Sequence, residues 1–170
     1  MPVSWKQHVI VDANVLIDYC ESDLSVLCLF SEKIQSVHIG KSTLNKVKQI
    51  TEAEAEQNRL LIEIPSIELA LEAAAKRGSL AYDDRETLLL AKENAWCCLT
   101  NDKPLRQECL DEKVRVLWGL EPMKILIFEG LMTTSQALQV ARKISATNPA
   151  FITEKILARF EGQIKKIKRS

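Results

Sequence analysis

Three aspartates stand where carboxylates need a partner. Asp12 closes the apolar run "VIV", Asp102 closes a second one in "AWCCLTND", and Asp84 opens the helical stretch "YDDRETLLLAKEN". A carboxylate at the end of a core strand costs several kcal/mol to desolvate unless something pairs with it. In open α/β sheets ligands bind beyond the carboxyl ends of the strands, where the strand order reverses. Two acids delivered to that edge from distant parts of the chain are therefore a better signal than two acids elsewhere. Asp84, Leu88 and Ala91 share one helical face at i, i+4 and i+7, which turns Asp84 toward the core. Asp83 and Glu86 are rotated off that stripe and are expected to be exposed. Asp12, Asp84 and Asp102 together would repel one another without a cation. An all-oxygen set suits Mg2+ or Mn2+ and not zinc.

The elements that must position these acids alternate. "HVIVD", "SVHI", "LLIEIP", "AWCCLTND" and "VRVLW" read as strands. "ESDLSVLCLFSEKI" reads as a helix opened by Ser22 or Asp23, and residues 42–60 as a polar helix with its Glu run in solvent. "SIELALEAAAKRG" is a helix capped by Ser66, with Lys76 and Arg77 late and Gly78 as its stop. "YDDRETLLLAKEN" and "KPLRQECLDE" are helical. Beyond Pro122 the chain is all helix, the last segment opening at Asn148 and Pro149. Alternating strands and helices imply an α/β fold, a three-layer α/β/α sandwich around a mostly parallel sheet. Residues 1–120 form that domain, and residues 121–170 are a helical extension packed on it.

"VIVDANVLIDY", followed by "LAYDDRETLLLAKENAWCCLTNDKPLR", resembles the PIN-domain family of metal-dependent nucleases. The match lies in an acid after the first strand, a helix-start acid, and a "TND" acid followed by "LR". The resemblance implies a ribonuclease that uses Mg2+ or Mn2+ and metal-activated water to hydrolyse RNA, single-stranded or structured. Asp12, Asp84 and Asp102 take the positions of the family's catalytic, metal-binding acids. Asn14 and Thr100 fall where it keeps small polar residues that support the site. It also implies the toxin of a toxin–antitoxin pair, with an antitoxin partner and a homodimeric state. One departure is plain: in "HIGKSTLNKV" Lys46 stands where the family usually carries Glu. A lysine does not ligate Mg2+ at neutral pH. Either three aspartates suffice, or Glu52 or Glu54 reaches in, or the fold is a weakened member that binds RNA or protein without cutting.

Each acid also has an ordinary alternative: a helix cap for Asp12, dipole complementation for Asp84, an Asx turn for Asp102. Asp18 is expected to face solvent, and His8 and His38 to be core or edge histidines with no carboxylate beside them. Ser42 and Ser79 lack the context of a nucleophile.

Composition narrows the class. The 170 residues are 46% hydrophobic and 27% charged, enough for a core. Lys plus Arg equals Asp plus Glu at 23 each, so any basic surface is local. The tail from Lys155 carries six basic residues against Glu161, either a solvated helix end or a phosphate-contacting patch. Aromatics make up 5%, so no base-stacking platform stands out. Five cysteines form no CxxC pair and suit reduced, buried thiols. No apolar run approaches the roughly 20 residues that span a bilayer, which fits a soluble, cytoplasmic chain with no membrane partner.

Overall fold

A computed structural model describes residues 5–75 and 78–167. In chain order the elements are β1 (Val9–Val11), α1 (Ala13–Ser22), α2 (Ser25–Lys33), β2 (Val37–Gly40), α3 (Lys41–Lys46), α4 (Glu52–Gln57), β3 (Leu60–Glu63) and α5 (Ile67–Ala74). They continue with α6 (Tyr82–Asn94), β4 (Cys97–Leu99), α7 (Lys103–Asp111), β5 (Val116–Leu117), α8 (Glu121–Phe128), α9 (Thr134–Thr147) and α10 (Glu154–Lys165). The strands form one parallel sheet in the order β3-β2-β1-β4-β5. A parallel sheet is covered on both faces, and β1 and β4 are accordingly buried along their whole length. The fold is a three-layer α/β/α sandwich.

Strand alternation divides the core in two. Val9, Val11, Val37, Cys97 and Leu99 point into one cluster with Leu16 and Tyr19 of α1, Phe30 of α2, Met123 and Leu126 of α8, and Ala141 of α9. Ile10 and Cys98 point into the other, with Leu69 of α5, Leu88 and Leu90 of α6, and Leu105 of α7. The C-terminal helices pack on the first layer: α8 against α2, α9 against α1, and α10 against α9.

Several expected boundaries move, each for a local reason. The chain passes from β1 straight into α1, because the Asp12 side chain caps that helix; no helix is expected there from the sequence pattern. Residues 42–60 are not one helix. The break falls where Val47 and Ile50 turn into the core, and Thr51 with Glu54 starts α4 through a capping box. The last helix opens at Thr153, not Asn148, which instead ends α9. Lys76 and Arg77 lie outside the described residues, as do Lys168, Arg169 and Ser170. Among the described residues no helix is long and apolar enough to cross a membrane.

Candidate active site

The strand order reverses between β1 and β4, and the two strand-end acids flank that point. The register Val11↔Leu99 puts Asp12 level with Thr100. Asp12 is 2% exposed and its Oδ1 accepts from Val15 N at 2.8 Å, so it is the N-cap of α1. Its Oδ2 accepts from the Thr100 hydroxyl. Thr100 Oγ1 in turn accepts from Asp102 N at 3.0 Å, so one hydroxyl ties both acids. Asp102 Oδ2 accepts from Leu105 N at 3.0 Å and caps α7. The capping alternative is therefore true of both acids, Asp102 as a helix cap in place of an isolated Asx turn. It occupies Asp12 Oδ1 and Asp102 Oδ2 alone.

Burial pushes the Asp12 carboxyl up to about 7, against the pull of its bonds to Thr100 and Val15, and the charges of Asp84 and Asp102 push the same way. Asp84 is half-buried and raised to about 6, first by burial, then by Asp83 and Asp102, with Lys46 opposing. The three aspartates thus feel one another across the switch point. The Asp84 side chain makes no hydrogen bond among the described residues.

The expectation that Asp83 and Glu86 are exposed is wrong. They are 8% and 2% exposed, while Asp84 is the more open neighbour. The cause is the place of α6, which touches β1, β2, β4, α3, α5 and α7. A helix enclosed on so many sides buries a wide stripe, and "TLLLA" offers no unique apolar face from which to choose. Glu86 Oε1 accepts from Ser42 N at 3.1 Å and supplies the cap that Gly40 lacks at the start of α3. A Cβ at Gly40 would lie 2.6 Å from that oxygen, so glycine is what lets the carboxylate in.

Lys46 Nζ pairs with both Asp83 oxygens, at 3.2 and 3.3 Å. Glu52 and Glu54 do not reach in: Glu52 pairs with Lys41 at 2.7 Å, and Glu54 closes its own capping box with Thr51. Asn14, half-buried in the first turn of α1, makes no hydrogen bond through its side chain among the described residues.

Two further expectations are corrected. Asp18 does not face solvent; it is 4% exposed, accepts from Asn148 Nδ2 at 2.9 Å, and burial raises it to about 6. His38 has a carboxylate partner: its Nδ1 lies 2.7 Å from Glu63 Oε1 and its Nε2 2.9 Å from His8 Nδ1. The register Gly40↔Glu63 brings that carboxylate beside β2.

The donor chemistry fits a hard divalent ion, since the charges of Asp84 and Asp102 push the Asp12 carboxyl up and that of Asp102 pushes Asp84 up, with Lys46 opposing at Asp84. The placement is not that of a closed ligand shell. Among the described residues no group of three or more His, Cys, Asp or Glu side chains is arranged to hold a metal ion.

No protein-family model and no curated protein matches the chain. Its structure is similar to that of a PilT N-terminus domain protein from the hyperthermophilic archaeon Sulfolobus solfataricus, with a TM-score of 0.51 and 16% sequence identity. The likeness covers 68% of this chain and 89% of that one. At that identity the likeness is one of fold.

Proposed function

We propose that this chain, whose fold is that of the PilT N-terminus (PIN) domain, is a Mg2+- or Mn2+-dependent endoribonuclease with Asp12, Asp84 and Asp102 as its metal ligands. The observation that carries the reading is the delivery of three mutually repelling aspartates to the switch point of the sheet. A hard cation relieves such an array. When bound, it supplies Lewis acidity: it lowers the pKa of water and offsets charge on a phosphodiester under attack.

The chain's own residues do the positioning. Thr100 orients Asp12 and the backbone of Asp102 through one hydroxyl, and the N-termini of α1 and α7 each hold one carboxylate oxygen. Asp84, whose side chain makes no hydrogen bond among the described residues, is the ligand able to move. Movement is required, because no ligand group is preformed among the described residues. RNA as substrate, a small antitoxin protein as partner, and a homodimeric state belong to the same proposal and rest on the likeness of the motifs. A cytoplasmic setting is supported by five unpaired cysteines.

A second reading rests on Lys46. Its ion pair with Asp83 places a positive charge where an acidic ligand would otherwise stand, as in a PIN fold that binds RNA or protein without cutting. A labelled single-stranded RNA incubated with wild type and Asp84→Asn, in EDTA, Mg2+ or Mn2+, separates the two. Metal-dependent cleavage by wild type alone supports the nuclease. Absence of both cleavage and a metal-induced rise in melting temperature leaves the second reading.

A further inference from the structure

Leu99 pairs with Leu117 across β4 and β5, so Trp118 leaves the sheet level with Thr100, at the edge that carries Asp102. A cavity of about 280 Å3 opens beside it, between the β5–α8 turn and α10, and its lining includes Asn101, Trp118, Lys124, Phe151, Arg159 and Phe160. We propose that this cavity takes one unpaired nucleobase of a single-stranded RNA and so holds the adjoining backbone at the aspartate edge. The inference rests on the ribonuclease reading and names the substrate form that reading leaves open.

The turn is built to hold an aromatic ring still. Asn101 Oδ1 accepts from Gly119 N at 2.8 Å, and Tyr19 donates to Gly119 O at 2.5 Å. A Cβ at Gly119 would fall 2.4 Å from Asn101 Nδ2, so the approach requires glycine. Trp118 is then fixed while 43% exposed, and the Arg106 guanidinium lies 3.8 Å from the centroid of its ring. Arg106 Nε is buried with no hydrogen-bond partner among the described residues, so the stack on Trp118 is what holds that group. The aromatic content is low, yet Trp118, Phe151 and Phe160 converge on this one cavity.

The chemistry favours a base. Aromatic walls stack any base without regard to sequence, and Asn101 Nδ2, next to the Oδ1 anchored on Gly119, is a donor for its polar edge. The rim carries Arg159, exposed and without an ion-pair partner among the described residues. It also carries Lys124, which bonds Gln163 at 2.9 Å and faces Glu121 at 3.5 Å. Both cations suit the flanking phosphates. A cavity of this size has room for one base and not for a base pair, so the occupant is single-stranded.

The test is a tryptophan-fluorescence and anisotropy titration in EDTA, where binding is separated from cutting. The probes are a labelled eight-nucleotide oligouridine, the matching oligoadenine and a blunt RNA duplex. Wild type should bind both single strands with quenching and the duplex more weakly. Trp118→Ala should lose roughly 5- to 100-fold in single-strand affinity, and Trp118→Phe should recover most of it. Equal binding by all three proteins, or no quenching on binding, overturns the base site and leaves a peptide segment as the occupant. The two readings fail separately. Cleavage by wild type with an unchanged KM in Trp118→Ala would remove the base site alone. Trp118-dependent binding without metal-dependent cleavage would remove the nuclease alone.

Discussion

Lys46 Nζ grips both carboxylate oxygens of Asp83, the immediate neighbour of Asp84 on α6. The lysine side chain is 56% exposed and the aspartate 11%, so the pair sits at the rim of the acidic cluster with its anion on the inner side. An exposed pair of this kind contributes about 0–1 kcal/mol. Reversing its charge does more, because Glu at 46 would face a buried carboxylate. Lys46→Glu should lower the metal-free melting temperature by about 2–5 °C for a chain of this size and enlarge the rise produced by Mn2+. A melt in EDTA and in Mn2+ reads both. An unchanged Mn2+ response would mean that position 46 does not face the metal.

Asp12→Asn tests the cost of the buried charge. Asn still caps α1, so the substitution removes ionisation more than structure. The folded-state carboxyls of Asp12 and Asp84 are raised to about 7 and about 6. Their contribution to stability is therefore complete below the unfolded value near 4 and is lost as pH rises through 6 to 7. Metal-free wild type should weaken across that window. Asp12→Asn should weaken less and be the more stable protein at pH 8 by ~1–3 kcal/mol, with no stabilisation by Mn2+. Urea denaturation at pH 5 and pH 8 decides it. A variant less stable than wild type at pH 8 would show that the ionised cap outweighs burial.

Thr100→Val removes a donor to Asp12 and an acceptor from Asp102 N at nearly constant volume. Leaving buried Asp12 and half-buried Asp102 short of a partner should cost about 1–3 kcal/mol. The loss should be smaller in Asp12→Asn, where the carboxylate no longer needs the hydroxyl. A double-mutant cycle by denaturant melts measures the coupling, and strict additivity would contradict the shared-hydroxyl geometry.

His38 titrates with the opposite sign. Burial lowers its pKa and His8 lowers it further, together outweighing the upward pull of Glu63. The neutral ring is the folded form, so this contribution is present above the unfolded value near 6.5 and is lost as pH falls below it. With Glu63 accepting from Nδ1, His38 is held as the Nδ1–H tautomer and accepts a hydrogen bond from His8 Nδ1–H at its Nε2. Imidazole nitrogen NMR at pH 7.5 should show that tautomer, and Glu63→Gln should lower the His38 pKa further. A His38 found as the Nε2–H tautomer would break the chain.

How much of this was legible in the sequence follows from what surrounds each element. β1 and β4 are buried on both faces, so they read as apolar runs, and the acids that end them stand out as Asp12 and Asp102. The bounds of α6 were clear because Gly78 and Ser79 precede it and the apolar run of β4 follows Asn94 closely. Its buried face was not, since enclosure by six elements hides any single stripe and conceals Asp83 and Glu86. Asp18 reads as exposed in the sequence because its partner, Asn148, comes 130 residues later. The Trp118 cavity was invisible for the same reason, since it joins α10 to a turn between β5 and α8.

Gly119→Ala concentrates that long-range dependence in one methyl group. The added carbon would sit 2.4 Å from Asn101 Nδ2, and neither neighbour yields cheaply: Asn101 is 8% exposed and the Gly119 carbonyl is held by buried Tyr19. Overpacking of this sort costs about 1–3 kcal/mol, which for a chain of this length is a drop of roughly 3–10 °C. The backbone must shift, so Trp118 should leave its stack on Arg106 and its emission should move to longer wavelength before any unfolding. Asn101→Ala with Gly119→Ala should restore most of the stability, because it removes the group the methyl meets, but should not restore the Trp118 environment. If the double variant is no more stable than the single one, the clash is not with Asn101, and the anchor of the turn lies on the Tyr19 side alone.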